Sequence, residues 1–159
     1  FGTGSGPGTV FCTGDGSSTV CPCGNASANG EGCANGSGSG AVLSVSGVAS
    51  VGASSVVISG RQLIGSQPGL YFQGNNAVAG GAGIQFGDGL RCAGGGVIRL
   101  QVRFAAADGT SETNIDIAQK GGVAAGDTKR YQCWYRDPNT SPCGTAFNLT
   151  NGYELTWGA

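Results

Sequence analysis

Apolar and polar residues alternate from Val97 to Phe104, with Ile98, Leu100, Val102 and Phe104 on one face and Val97, Arg99, Gln101 and Arg103 on the other. A period of two predicts a strand with one face in a core and one in water. Asp108-Gly109 supplies a turn into Thr113-Asn114-Ile115-Asp116-Ile117, which alternates in the same way, so the two segments are expected to pair as a hairpin. A second hairpin is expected at Asn151-Gly152. It would join Phe147-Asn148-Leu149 to Tyr153-Glu154-Leu155-Thr156-Trp157, with Tyr153, Leu155 and Trp157 on one face. Ala41 to Ser46, Ser54 to Ser59, Leu70 to Gln73 and Lys129 to Arg136 complete the strand set, each bounded by glycine or proline, and no segment carries a helical period. Strands broken by turn signals every ten residues or so predict an all-β fold, an antiparallel β-sandwich of immunoglobulin-like or jelly-roll type.

The alternation starts only after residue 40. Residues 1–40 are rich in Gly, Cys and Asn and end in Gly36-Ser37-Gly38-Ser39-Gly40, which has the composition of a flexible linker. The division expected is therefore a disulfide-tied, glycine-rich N-terminal arm (residues 1–40) followed by the sandwich (residues 41–159). Within the arm, residues 1–10 repeat residues 11–20 at six of ten positions, sharing Phe, Thr and Val as well as glycine. Phe, Thr and Val suit a pleated edge. Residues 1–10 thus read as an added assembly arm in which Phe1, Thr3, Thr9, Val10 and, at its junction, Phe11 are the contact residues.

Composition narrows the partners. Charged residues make up 11% of the chain, about half the usual share of ~25%, and the net charge is −1. Such a surface has no electrostatic grip on a phosphate backbone, so nucleic acid is not an expected partner. No run approaches the roughly 18 apolar residues of a membrane span, and no signal peptide opens the chain, which reads as a mature exported protein.

Seven cysteines with no histidine point to an oxidising compartment. With one left over, seven cysteines allow about 105 pairings, so connectivity is open. Cys12, Cys21, Cys23, Cys33, Cys92 and Cys143 are expected to pair among themselves and tie the arm to the sandwich. Cys133 alternates with Tyr131 and Tyr135 and so faces inward as a free or unusually paired thiol; the competing arrangement joins Cys133 to Cys143 and leaves another cysteine for an intermolecular bond. A zinc site on Cys12, Cys21, Cys23 and Cys33 is disfavoured, because the close pair is C-x-C and not C-x2-C. No metal or other cofactor is expected.

The motifs Phe11-Cys12-Thr13-Gly14-Asp15-Gly16, Cys21-Pro22-Cys23-Gly24-Asn25, Gly32-Cys33-Ala34-Asn35, Phe86-Gly87-Asp88-Gly89-Leu90-Arg91-Cys92-Ala93-Gly94-Gly95 and Tyr131-Gln132-Cys133-Trp134-Tyr135-Arg136 occur in that order. From Phe11 to Trp157 the chain resembles the uncharacterised cysteine-rich exported domains common in predicted secretomes of some environmental Gram-negative bacteria. The resemblance implies export and a β-rich domain, and no activity. It also implies that residues 1–10 are an addition and that valine often stands at the position of Cys133.

Catalysis has little to build on. Histidine, the usual base near neutral pH, is missing, and no nucleophile motif appears. Asp116 and Glu154 are the one conceivable acid pair, read more simply as surface ions opposite arginines. Gly14-Asp15-Gly16 and Gly87-Asp88-Gly89 each offer one carboxylate in a turn, far short of a calcium loop. The protein is accordingly read as a non-enzyme. Trp134, flanked at period two by Arg130, Gln132 and Arg136, is the expected platform for a sugar ring or a neighbouring subunit, with Tyr71 or Trp157 beside it. Asn25, Asn35, Asn139 and Asn148 each open an N-x-[ST] glycosylation signal. Two functions follow: an extracellular structural subunit that polymerises head to tail through its arm, or a secreted carbohydrate-binding or adhesion module.

Overall fold

The computed structural model describes residues 6–159. Phe1 and Thr3 of the expected arm lie outside them. In chain order the strands are β1 (Thr9–Phe11), β2 (Val42–Ser46), β3 (Val57–Arg61), β4 (Pro68–Gly74), β5 (Asn76–Ala77), β6 (Ile84–Phe86), β7 (Gly89–Arg91), β8 (Ala93–Gly94), β9 (Ile98–Phe104) and β10 (Ser111–Glu112). A short helix, α1 (Ile117–Gly121), precedes β11 (Thr128–Arg136), β12 (Phe147–Leu149) and β13 (Gly152–Thr156). All strand pairs between these elements are antiparallel. A six-stranded sheet runs β1-β13-β11-β4-β9 with β12 also on β11, and a three-stranded sheet runs β10-β3-β2.

Side chains from both sheets meet in one core, Leu43, Val45 and Ile58 from the smaller sheet against Tyr71, Leu100, Tyr131, Tyr135, Tyr153 and Leu155 from the larger. Tyrosine takes the place that leucine fills elsewhere, and a buried hydroxyl left unpaired costs roughly 1–3 kcal/mol. Each finds a partner: Tyr71 with Ser111, Tyr131 with Gln73 and the Trp157 indole, Tyr135 with Asn35, and Tyr153 with the Pro7 carbonyl. Tyr71 and Trp157, proposed as partners of Trp134, are core residues and offer no surface.

Both expected hairpins are replaced. Ser111–Glu112 pairs with β3, not β9. The segment that follows turns into α1, because Asp116 caps it by accepting from the Gln119 amide and Gly122 ends it in the left-handed conformation. At Asn151-Gly152 the chain does not reverse. β12 and β13 lie end to end along β11, on Trp134–Arg136 and Thr128–Tyr131 respectively. Between them Thr150 bonds both backbone groups of Cys133, and the buried Asn151 side chain bonds both backbone groups of Leu43 in β2.

β9 departs from its alternation at one residue. Tyr71 pairs with Gln101 and Phe72 with Arg99, so Leu100 is an extra residue in the ladder. The bulge reverses the phase of the strand. Leu100 keeps the core, while Val102 and Phe104, expected beside it, stand on the outer face at 55% and 69% exposure.

Residues 12–40 are not an extended arm but a turn-rich lobe pinned to the body. Cys12 is bonded to Cys92, Cys21 to Cys33 and Cys23 to Cys143. The four cysteines of the zinc alternative are thus spread over three disulfides. Cys133 is free and fully buried, so it cannot serve as an intermolecular thiol, and burial pushes its thiol well above the ordinary range.

Candidate assembly site

The leading segment meets the body at the edge of the larger sheet. Thr9 lies opposite Glu154, Val10 opposite Tyr153 and Phe11 opposite Gly152. A Cβ on Gly152 would stand 2.7 Å from the Phe11 ring, so the ring takes the space that any other residue would fill. Immediately after the strand, Cys12 adopts a left-handed φ of 58° and is fixed by its disulfide. Upstream, Gly8 (φ 82°) crosses Tyr153 and the Glu154 carbonyl, and Gly6 lies against the Val45 carbonyl of β2, both at approaches that admit no side chain. Thr9, Val10 and Phe11 were expected in a free arm; they are docked on their own chain. Residues 6–11 are thus occupied by the chain's own body.

A groove of about 600 Å³ opens beside this strap, between Gly6, Val10 and the length of β2. At the far end of the same sheet, no strand pairs with the outer edge of β9 among the described residues.

The outer face of the larger sheet carries a row across neighbouring strands, Val102 opposite Leu70, Leu70 opposite Trp134 and Trp134 opposite Leu149. Trp134 is half-buried and meets Phe86 and Phe147 at ring distances of 5.6 and 5.7 Å. Cavities of about 230 and 260 Å³ flank it, sharing Leu70 and Arg99 in their walls. Arg91 and Arg99 line the first and Arg136 the second, with no carboxylate in either. The residues grouped with Trp134 by period two scatter. Arg130 is held by Glu154, with Nη2 at 2.8 Å from Oε2, and by the Asn75 carbonyl. Gln132 is buried beneath the segment Leu90–Ala93, to which its amide makes three hydrogen bonds, with a fourth donated to the Thr150 carbonyl. Arg136 alone stays exposed near Trp134. Arg99 stands on the solvent face that alternation gave it, whereas Arg91, Val102 and Phe104 are surface residues that alternation missed; the bulge that turns the last two outward has no signature in the sequence.

The remaining acidic candidates are structural. Asp15 accepts from the Ser17 hydroxyl and amide and from the Thr13 hydroxyl, bonds that hold its carboxyl at about 2. Asp88 is buried, which alone would raise its pKa, but bonds from the Ser141 and Thr145 hydroxyls and the Cys143 and Thr145 amides outweigh this and hold it down. Asp116 caps α1 and Glu154 pairs with Arg130, so each carboxylate of the conceivable acid pair already has its own partner. Of the four glycosylation signals, Asn25, Asn35 and Asn148 are buried with their amides bonded to backbone carbonyls. Asn139 is exposed.

Comparison with family models, with curated proteins and with solved structures finds no match to this chain. Among the described residues no helix is long and apolar enough to cross a membrane.

Proposed function

We propose that this is a secreted structural protein, a subunit that polymerises head to tail outside the cell by adding its leading segment as a strand to a neighbour. One observation carries the reading: the described residues upstream of Cys12, 6–11, join the body without a covalent link, through a three-residue strand, the Tyr153 bond to the Pro7 carbonyl and the close passage of Gly6 and Gly8, while the body itself is locked by three disulfides. A strand held without a covalent link of its own on a covalently locked body suits strand addition, and a repeated heterologous contact yields a filament. The low charge and the cross-links suit duty in an oxidising exterior. Removing residues 1–8, which spares β1 and the Cys12–Cys92 bond, tests the reading by electron microscopy. Filaments are expected from the full chain and not from the truncated one; equal filaments from both overturn it.

The arginines around Trp134 favour a second reading, an adhesion module for an anionic saccharide, with sugar rings against the aromatic row and acid groups on Arg99 and Arg136. Affinity electrophoresis in polygalacturonate, with neutral galactan as control, tests it. Retardation by the acidic polymer alone, lost in R99Q/R136Q, is expected; no retardation, or retardation unchanged by the substitutions, excludes it.

A further inference from the structure

We propose that the cavity between the β6–β7 hairpin and the outer face of the larger sheet binds a small apolar carboxylic acid, with its acid group on Arg91 and Arg99 and its apolar body against Trp134. The site needs neither the filament nor the saccharide reading. The hairpin packs on the sheet where Phe86 meets Trp134, and the space left beside them, about 230 Å³, is walled by Leu70, Phe72, Phe86, Val97, Trp134 and Leu149. Its charged side chains are the two arginines. A concave, mostly apolar space with a few fixed polar groups is the usual form of a small-molecule site, and drug-sized sites begin at ~300 Å³. This one has the volume of about eight waters at ~30 Å³ each, which is room for one ring or a short branched chain and not for a run of sugars.

Arg91 is held in place from both sides. The Gln132 side chain accepts from the Cys92 and Ala93 amides and donates to the Leu90 carbonyl, and Cys92 carries the disulfide to Cys12, so the backbone around Arg91 is tied to β11 and to the N-terminal lobe. The Arg91 Nε donates to the Ala93 carbonyl at 3.3 Å, and the guanidinium carbon lies 6.0 Å from the centre of the Phe86 ring. With Nε taken, the Nη edge of the fork is the part that can receive a carboxylate in two parallel bonds. Among the described residues neither Arg91 nor Arg99 has a carboxylate partner. Selection falls on both halves of the ligand. A neutral ring leaves the guanidiniums unmatched, and a sugar acid brings hydroxyls that the apolar walls cannot bond. The saccharide reading concerns Arg99 and Arg136 on the open face, whereas the cavity beside the hairpin turns on Arg91.

Phenylacetate titrated into the full chain tests the site, with phenylacetamide and galacturonate as controls and the two indole N–H signals in a nitrogen-15 correlation spectrum as the readout. The Trp157 indole is bonded to the Tyr131 hydroxyl in the core and serves as the reference. Phenylacetate is expected to shift the Trp134 signal saturably and to leave that of Trp157 in place, with both controls at least about tenfold weaker. R91Q is expected to weaken phenylacetate at least about tenfold through loss of a charge-assisted pair. V97E, which sets a carboxylate at an exposed position of the same wall, is expected to weaken it likewise with the contacts of Arg91 intact. R136Q, in the neighbouring cavity, is expected to bind phenylacetate like the wild type. The absence of a saturable shift, an equal shift from either control, full affinity in V97E or in a folded R91Q, or an equal loss in R136Q overturns the proposal. Retardation in polygalacturonate and filament formation are read separately and stand or fall on their own tests.

Discussion

The ring of Phe11 lies against the backbone of Gly152, its register partner, where the leading segment inserts a large side chain into the body. Cys92 packs at the same spot, its Cβ 2.9 Å from where a Gly152 Cβ would stand, and Cys12 is disulfide-bonded to it. The leader is therefore anchored twice at one point, and from Gly6 to Gly8 it is held by the Tyr153 bond to the Pro7 carbonyl and by close backbone passage.

Gly152→Val is expected to unseat Phe11. Overpacking at a filled site costs about 1–3 kcal/mol, and the displaced strand should become a substrate for limited proteolysis between Thr9 and Phe11. An unchanged thermal midpoint together with unchanged protease resistance would show that the ring does not occupy this seat.

The disulfides should differ in worth. Cys21–Cys33 closes a short loop, with a sequence separation of 12, whereas Cys23–Cys143 spans 120 and still closes roughly sixty residues when routed through Cys12–Cys92. In the chain-entropy account these correspond to about 3 and about 4 kcal/mol. Guanidinium titration of C21A/C33A and C23A/C143A is expected to give the larger loss for the second pair; the reverse order would indicate that native packing around Cys21 and Cys33 outweighs chain entropy.

Acid should act on two buried carboxylates in opposite directions. Asp88 titrates lower folded than unfolded, so its contribution is present above the unfolded value near 3.8 and fades as pH falls through the folded one. Asp137 is raised, chiefly by burial against the single bond from the Gly36 amide, so it costs stability at neutral pH, a cost that disappears as pH falls through its folded value. Stability is expected to peak in mildly acid solution. Asp137→Asn should stabilise at pH 7 and flatten the profile between pH 7 and that peak. Asp88→Asn should lose about 1.5–3 kcal/mol at pH 7, the range for hydrogen bonds to a charged group. Chemical denaturation across pH checks both; a profile of Asp137→Asn parallel to that of the wild type would refute the first.

Expression in a glycosylating host should add sugar at one site. Asn139 is exposed, whereas the amides of Asn25, Asn35 and Asn148 are committed to buried hydrogen bonds. Intact mass should show one glycan that Asn139→Gln removes; a second glycan would mean that a buried amide is modified before folding.

The strands β2, β4, β9 and β11 and the inward set Tyr153, Leu155 and Trp157 were legible in the sequence, because β-branched and aromatic runs bounded by glycine or proline mark pleated segments whichever faces they bury. So was the oxidised, lightly charged character of the chain, which composition carries without reference to position. Partners were not legible. Asn151-Gly152 has the local chemistry of a tight turn, and only the presence of β11 alongside and Leu43 above makes it a straight passage with a side chain standing in for a strand. Asp116 reads as a polar position in a strand until Gly122 and the core beneath Ile117 make it a helix cap. The outward turn of Val102 and Phe104 depends on a single unpaired residue, Leu100, and the seating of Thr9–Phe11 depends on a sheet edge whose nearest residue is more than 140 positions away. Alternation is a property of neighbours along the chain, whereas pairing, phase after a bulge and cysteine connectivity are set by which distant backbone lies across the gap.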